Sequence, residues 1–203
     1  MFDDTYLTIE NRAEGVYKEK GSKFISLAFP VTTQEEIKEI IKDIKKEYFD
    51  ARHHCYAYIL GYNKSVFRLN DDGEPSSTAG KPIYGQLLSK NLTNILVVVV
   101  RYFGGTKLGV SGLIQAYKQA TIDVLDNSKI IEKTVDEIYS VSFEYSLMND
   151  VMKIMKEFDL HQQNHKFEND CYMEFRIRKR DSQKVIDSLR FIDNISVKFI
   201  NEI

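Results

Sequence analysis

The stretch NILVVVVRYFGGTKLGVSGLIQAY, Asn94 to Tyr117, decides how the larger part of this chain folds. Its unbroken apolar run from Ile95 to Val100 reads as a central strand covered on both faces. Leu113, Ile114, Tyr117, Thr121, Val124 and Leu125 then recur at helical spacing, which predicts a helix of about four or five turns. Between them lie four of the chain's ten glycines, Gly104, Gly105, Gly109 and Gly112. Two readings of that corner stand side by side. A helix start presents outward-pointing amides, and with Lys107 beside them it would hold an anion. Alternatively, Gly104 and Gly105 permit positive φ or a close backbone approach, while Gly109 and Gly112 let the helix lie tight on a neighbour. Neither phosphate-binding fingerprint fits. Val110 and Ser111 stand where a P-loop requires Lys and Ser/Thr, and the glycine spacing does not make G-x-G-x-x-G.

Upstream, residues 13–31 read as two short strands about the turn Lys20-Gly21-Ser22. Thr33 and Glu36 form a capping-box pattern before Ile37, Ile40, Ile41, Ile44 and Tyr48, one apolar helical face. His53 to Tyr62 has the composition of a strand and Ser65 to Asn70 that of its hairpin partner. The loop Asp71 to Thr78 closes that unit, and a short helix is expected from Tyr84 to Lys90.

From Val135 the order becomes strand, helix, two strands, helix (about Ser182 to Arg190) and strand. This βαββαβ order suits a ferredoxin-like sandwich. Polar Glu132-Lys133-Thr134 separates the two patterns, so domains are expected at 1–131 and 132–203. The predicted class is α+β, with α/β two-layer packing.

Composition limits the function. A chain of 203 residues, 43% hydrophobic and 29% charged, is a globular protein rather than a disordered one. An acidic start without a secretory pattern leads to the expectation of a cytoplasmic protein, and no apolar run reaches membrane length. Cys55 and Cys171 fall in different expected domains, so reduced thiols are expected. The net charge of −2 provides no overall field for nucleic acid, so any such contact must come from a local patch.

Several groups of residues carry side chains suited to chemistry. Asp71, Asp72 and Glu74 are enough carboxylates for a hydrated magnesium ion, but Asp and Gly also make an ordinary turn. Adjacent His53 and His54 point to opposite faces of a strand, and His53 with Cys55 supplies too few ligands for zinc. No setting that would lower the Cys55 pKa is legible. Arg176, Arg178 and Arg180 are expected on one face of a strand, as a phosphate-facing row or a solvated face. Tyr56 and Tyr58, on one face with His54, would stack on bases or pack a core.

Together, KGSKFI (Lys20 to Ile25), ARHHCYAYILG (Ala51 to Gly61), DDGEPSSTAGKPI (Asp71 to Ile83) and RYFGGTKLG (Arg101 to Gly109) resemble the YigZ/Impact family, over about residues 10 to 128. The resemblance implies an N-terminal domain like the second domain of a ribosomal small-subunit protein. It implies a C-terminal domain similar to one in elongation factor G, and hence a setting in translation. It provides no catalytic residue. The positions that match the family motifs, and so form the expected binding surface, are Arg52, His53, His54, Asp71, Asp72, Glu74, Thr78, Lys81, Arg101, Tyr102, Gly104, Gly105, Lys107, Gly109 and Gly112. The chain departs from the pattern at Ser77 and Ser111, where glycine is expected, and at Gln115, where a basic residue is expected.

The expected function is a non-enzymatic binding protein, monomeric or weakly oligomeric, without metal or cofactor. Its expected partner is RNA, the ribosome or a translation-associated protein, contacted through a polar, glycine-rich groove with phosphate contacts from Arg52, Arg101 and Lys107 and stacking by His54, Tyr56 or Tyr102. The alternative is a magnesium-dependent enzyme for a phosphorylated small molecule, which requires the acidic loop to face the glycine corner.

Overall fold

The computed structural model describes residues 4–203, so the first three residues of the expected N-terminal domain lie outside the described residues. In chain order the strands and helices are β1 (Thr5–Ile9), β2 (Ala13–Glu19), β3 (Ser22–Pro30), α1 (Gln34–Glu47), β4 (His53–Leu60), β5 (Val66–Asn70), α2 (Gly80–Ser89), β6 (Ile95–Tyr102) and α3 (Gly109–Asp126). They continue as β7 (Ile130–Thr134), β8 (Asp136–Glu144), α4 (Met148–Glu157), β9 (His161–Lys166), β10 (Asp170–Arg178), α5 (Lys179–Arg190) and β11 (Ser196–Glu202). Two compact units result, one of residues 6–133 and one of residues 134–203 with Asp4 and Thr5. No helix among the described residues is long and apolar enough to cross a membrane.

In the first unit the order β2-β3-β6-β4-β5 places β6 at the centre, as its apolar run predicts, with antiparallel neighbours throughout. Alternate residues of a strand face opposite ways, and both faces are buried here. Val97 and Val99 pack with Ala57 and Phe24 against Ile83 and Leu87 of α2 and Leu113, Tyr117 and Val124 of α3. Leu96, Val98 and Val100 pack with Leu27, Tyr56 and Tyr58 against Ile37 and Ile44 of α1. The first unit therefore has a helical layer on each face of its sheet, one layer more than expected. Helix α1 starts at Thr33, whose hydroxyl accepts the Glu36 amide at 3.2 Å. The Glu36 carboxylate returns to the amide of Thr32 rather than that of the cap residue itself, a shifted form of the capping box.

The second unit is a four-stranded antiparallel sheet in the order β11-β8-β10-β9. Cys171, Met173, Phe175 and Ile177, every second residue of β10, join Val151 and Met155 of α4 and Val185 and Leu189 of α5 in one core. This is the expected βαββαβ sandwich of two layers.

Several local expectations need correction. Helix α2 begins at Gly80 rather than near Tyr84, because Asp71 caps it from across the loop. Glu132, Lys133 and Thr134 are part of β7, which pairs with β1 to make a separate two-stranded sheet. Their polar side chains are exposed while the backbone is paired, so composition alone suggested a linker. Arg180 does not extend the arginine row, because β10 ends at Arg178 and α5 begins at Lys179. The two strand arginines are held by carboxylates, Arg176 by Asp136 and Arg178 by Asp4 at 2.5 Å.

Ser77 has φ +64°, the left-handed region that favours glycine, and this is one of the two positions where the family pattern led us to expect glycine. Its amide donates to Asp71 at 2.8 Å, which keeps the loop in that conformation. Ser77→Gly is expected to raise stability by up to about 1 kcal/mol, since relief of the left-handed strain outweighs the added freedom of the unfolded chain. Chemical denaturation measures the change, and a loss of stability would contradict it.

Candidate functional site

Three of the motif segments come together at one end of the five-stranded sheet. His53 opens β4 and stands directly across from Arg101 near the end of β6, so their side chains share a face. With the α1–β4 connection and the turn after β6, they line a cleft of about 500 Å³ formed by Asp50, Ala51, Arg52, His53, Arg101, Tyr102, Phe103 and Lys107. The acidic loop lies against its floor. A buried ion pair joins the two, with Arg101 Nη1 donating to Glu74 Oε1 at 2.6 Å and both side chains almost fully enclosed.

That pair is the middle of a chain of contacts. Tyr117 of α3 donates its hydroxyl to the same Glu74 oxygen at 2.9 Å. The Cys55 thiol lies 3.3 Å from that hydroxyl and donates to the Asp71 carbonyl at 3.0 Å. Burial pushes the Tyr117 hydroxyl far above its ordinary range, and the neighbouring Cys55 and Glu74 add to the effect. Burial likewise pushes the Cys55 thiol up, against the opposing Tyr117 contact, so this cysteine is a packing residue rather than a nucleophile. The Arg101 guanidinium lies between two rings, 5.6 Å from the centroid of Phe24 and 5.7 Å from that of Phe103. Its Nε is buried and has no hydrogen-bond partner.

The three acidic residues do not converge on a common point. Asp71 accepts the amides of Ser77, Ala79 and Gly80 and so caps α2. Asp72 accepts the His54 amide at 2.7 Å and pairs with Lys45 of α1 at 3.1 Å. Glu74 is taken up by Arg101 and Tyr117. Among the described residues no group of three or more His, Cys, Asp or Glu is arranged to hold a metal ion. Each carboxylate serves the loop's own shape, which removes the ligand set that the magnesium reading needs.

The histidines divide as strand alternation requires. His53 Nδ1 donates to the Asp72 carbonyl at 2.9 Å, which leaves Nε2 as the ring's other nitrogen. His54 is buried on the α1 side, with Nε2 donating to the Tyr48 carbonyl at 3.0 Å and Nδ1 3.6 Å from Asp72. Tyr56 and Tyr58 stack on each other beneath α1, ring centroids 6.5 Å apart, and are buried. Burial beneath α1 corrects the stacking expected of His54 and Tyr56, and for Tyr58 it decides the open alternative in favour of core packing. Tyr102 donates to Asp50 at 2.7 Å, and that bond, with burial, pushes its pKa up to about 12.

The glycine corner resolves residue by residue. A Cβ on Gly104 would collide with the backbone of Gly21 and Ser22, so this position requires glycine because two turns touch there. Gly105 and Gly109 have φ +88° and +72° with open space beside them. Gly109 therefore serves the backbone bend before α3 and not helix packing, and Gly112 meets only the Leu108 side chain of its own segment. Thr78 is buried and donates to the Pro75 carbonyl at 2.6 Å. Lys81 is exposed in the first turn of α2 and is not among the cleft residues. Arg52 and Lys107 are exposed and have no ion-pair partner among the described residues. Phe103, which sequence reasoning missed, is 56% exposed at the cleft. Its only signal was a bulky aromatic just beyond the central strand and before two glycines.

Burial alone would raise the Asp72 carboxyl, but the His54 amide and Lys45 hold it below its ordinary value of 3.8. A depressed folded-state value stabilises the fold above the unfolded value, and this contribution is lost as pH falls through the folded value. Asp72→Asn is therefore expected to flatten the acid limb of the stability curve below about pH 4. Denaturation midpoints measured between neutral and acid pH check it, and an unchanged acid limb would contradict the assignment.

Comparison with known proteins agrees with this architecture. The Impact N-terminal domain family model matches residues 20–125. The chain is 36% identical to the IMPACT family member YvyE of Bacillus subtilis (strain 168), over 75% of this chain and 70% of that protein. It is 34% identical to the IMPACT family member YigZ of Escherichia coli (strain K12), over 69% and 70% of the two chains. A crystal structure described only as a hypothetical protein matches 98% of both chains with a TM-score of 0.76 and 26% identity. The residues matched by the family model take in four of the sheet's five strands, the cleft and the loop that underlies it, and the chain belongs to the IMPACT family.

Proposed function

We propose that this chain is a non-enzymatic binding protein that acts in translation by holding single-stranded RNA, free or on the ribosome, in the cleft beside Arg101. The supporting observation is the placement of Arg52, His53 and Lys107 around one cleft whose inner wall is the fixed Arg101 guanidinium. Cations at a concave surface favour phosphates, and an exposed aromatic beside them suits an unpaired strand better than a duplex, whose bases are already stacked. The setting in translation follows from the family resemblance. The chain's formal charge of −2 makes this a local interaction, so it should be weak and strongly dependent on salt.

Fluorescence anisotropy with a labelled oligouridylate tests the reading. If Arg52 and Lys107 each neutralise one phosphate, raising salt from about 50 to about 200 mM weakens binding about sevenfold. Lys107→Ala should lower affinity and reduce that salt slope by about half. Absence of binding at about 50 mM salt, together with failure to co-sediment with ribosomes, would overturn the proposal.

A further inference from the structure

We infer that the cleft holds a single nucleoside phosphate unit, with the base stacked on Phe103 and the phosphate held by Arg52 and Lys107. This rests on the binding reading above and specifies its ligand. Three observations lead to it.

The first is the cavity itself. About 500 Å³ is the size of a small-molecule site and takes one nucleotide at a time, free or as one unit of a strand. The second is Phe103. A phenylalanine with 56% of its surface exposed, beside a cavity and next to a buried guanidinium, offers a ring on which any base can stack. The Arg101 guanidinium lies 5.7 Å from that ring's centroid, so a base on the ring would extend an existing cation–π arrangement.

The third is the charge left at the cavity. Arg101 lines it with a side chain only 7% exposed, Nη1 spent on Glu74 and Nε buried, so it supplies a fixed positive wall rather than a free donor. The cleft's own carboxylate, Asp50, accepts the Tyr102 hydroxyl and keeps its negative charge. Glu74 behind the wall is neutralised by Arg101, which leaves Arg52 and Lys107 against Asp50 and so one cation in excess at the cavity among the described residues. A phosphate answers that excess, which a neutral nucleoside does not.

Calorimetric titration with AMP, adenosine and a single-stranded oligoadenylate tests the inference and separates a free nucleotide from a nucleotide within a strand. AMP should bind and adenosine should bind more weakly. Equal affinity for AMP and the oligomer identifies a free nucleotide as the natural form, and tighter binding of the oligomer identifies a strand; either outcome supports the inference. Phe103→Leu should reduce affinity for every phosphorylated probe by about five- to a hundredfold, and Phe103→Tyr should restore it. Both variants alter an exposed side chain, and an unchanged melting temperature verifies the fold. If the oligomer binds but Phe103→Leu leaves its affinity unchanged, the inference falls and the broader RNA reading survives. If neither AMP nor the oligomer binds, both fall.

Discussion

The buried ion pair between Glu74 and Arg101 is the constraint on which this end of the molecule depends. Two charges removed from water are costly, and the cost is offset only when geometry is close and the remaining polar atoms are satisfied. Here one Glu74 oxygen receives both the guanidinium and the Tyr117 hydroxyl. That single carboxylate joins the acidic loop to the central strand and to α3, while Cys55 and the Asp71 carbonyl extend the contact to β4. The loop's other two carboxylates fasten its ends, Asp71 to the start of α2 and Asp72 to α1 and β4.

This arrangement separates holding the cleft from filling it. Arg101 gives shape and a fixed positive wall, clamped between Phe24 and Phe103, and most of its charge is answered from inside the protein. Arg52 and Lys107 are exposed cations without an ion-pair partner among the described residues. Gly104 permits this geometry, because the turn that carries Lys107 must touch the β2–β3 turn at Gly21. A side chain there would force the two turns apart and move the rim.

Much of the fold was legible because period reports burial. The run from Ile95 to Val100 marked the sheet's centre, and the isoleucines of α1 marked the helix that covers one face. What failed to show were features decided at long range. Glu74 and Arg101 are 27 residues apart, and nothing local distinguishes a carboxylate that pairs with arginine from one that binds magnesium. Arg180 continued the strand's alternation by one step, although the chain had already turned into α5. Tyr56 and Tyr58 read equally as base-stacking or core residues until α1 was seen to cover them. Phe103 was overlooked because an exposed aromatic has no period to betray it.

The most direct test of the account is a double-mutant cycle on the ion pair, with Glu74→Gln, Arg101→Met and the double variant compared by chemical denaturation. Each single change should destabilise the protein by about 3–5 kcal/mol, because it leaves a buried charge unanswered. The double variant should lose less than the sum of the two, by about 2 kcal/mol or more. Strict additivity of the two losses would show that Glu74 and Arg101 do not depend on each other, and would contradict the claim that their pairing holds the cleft together.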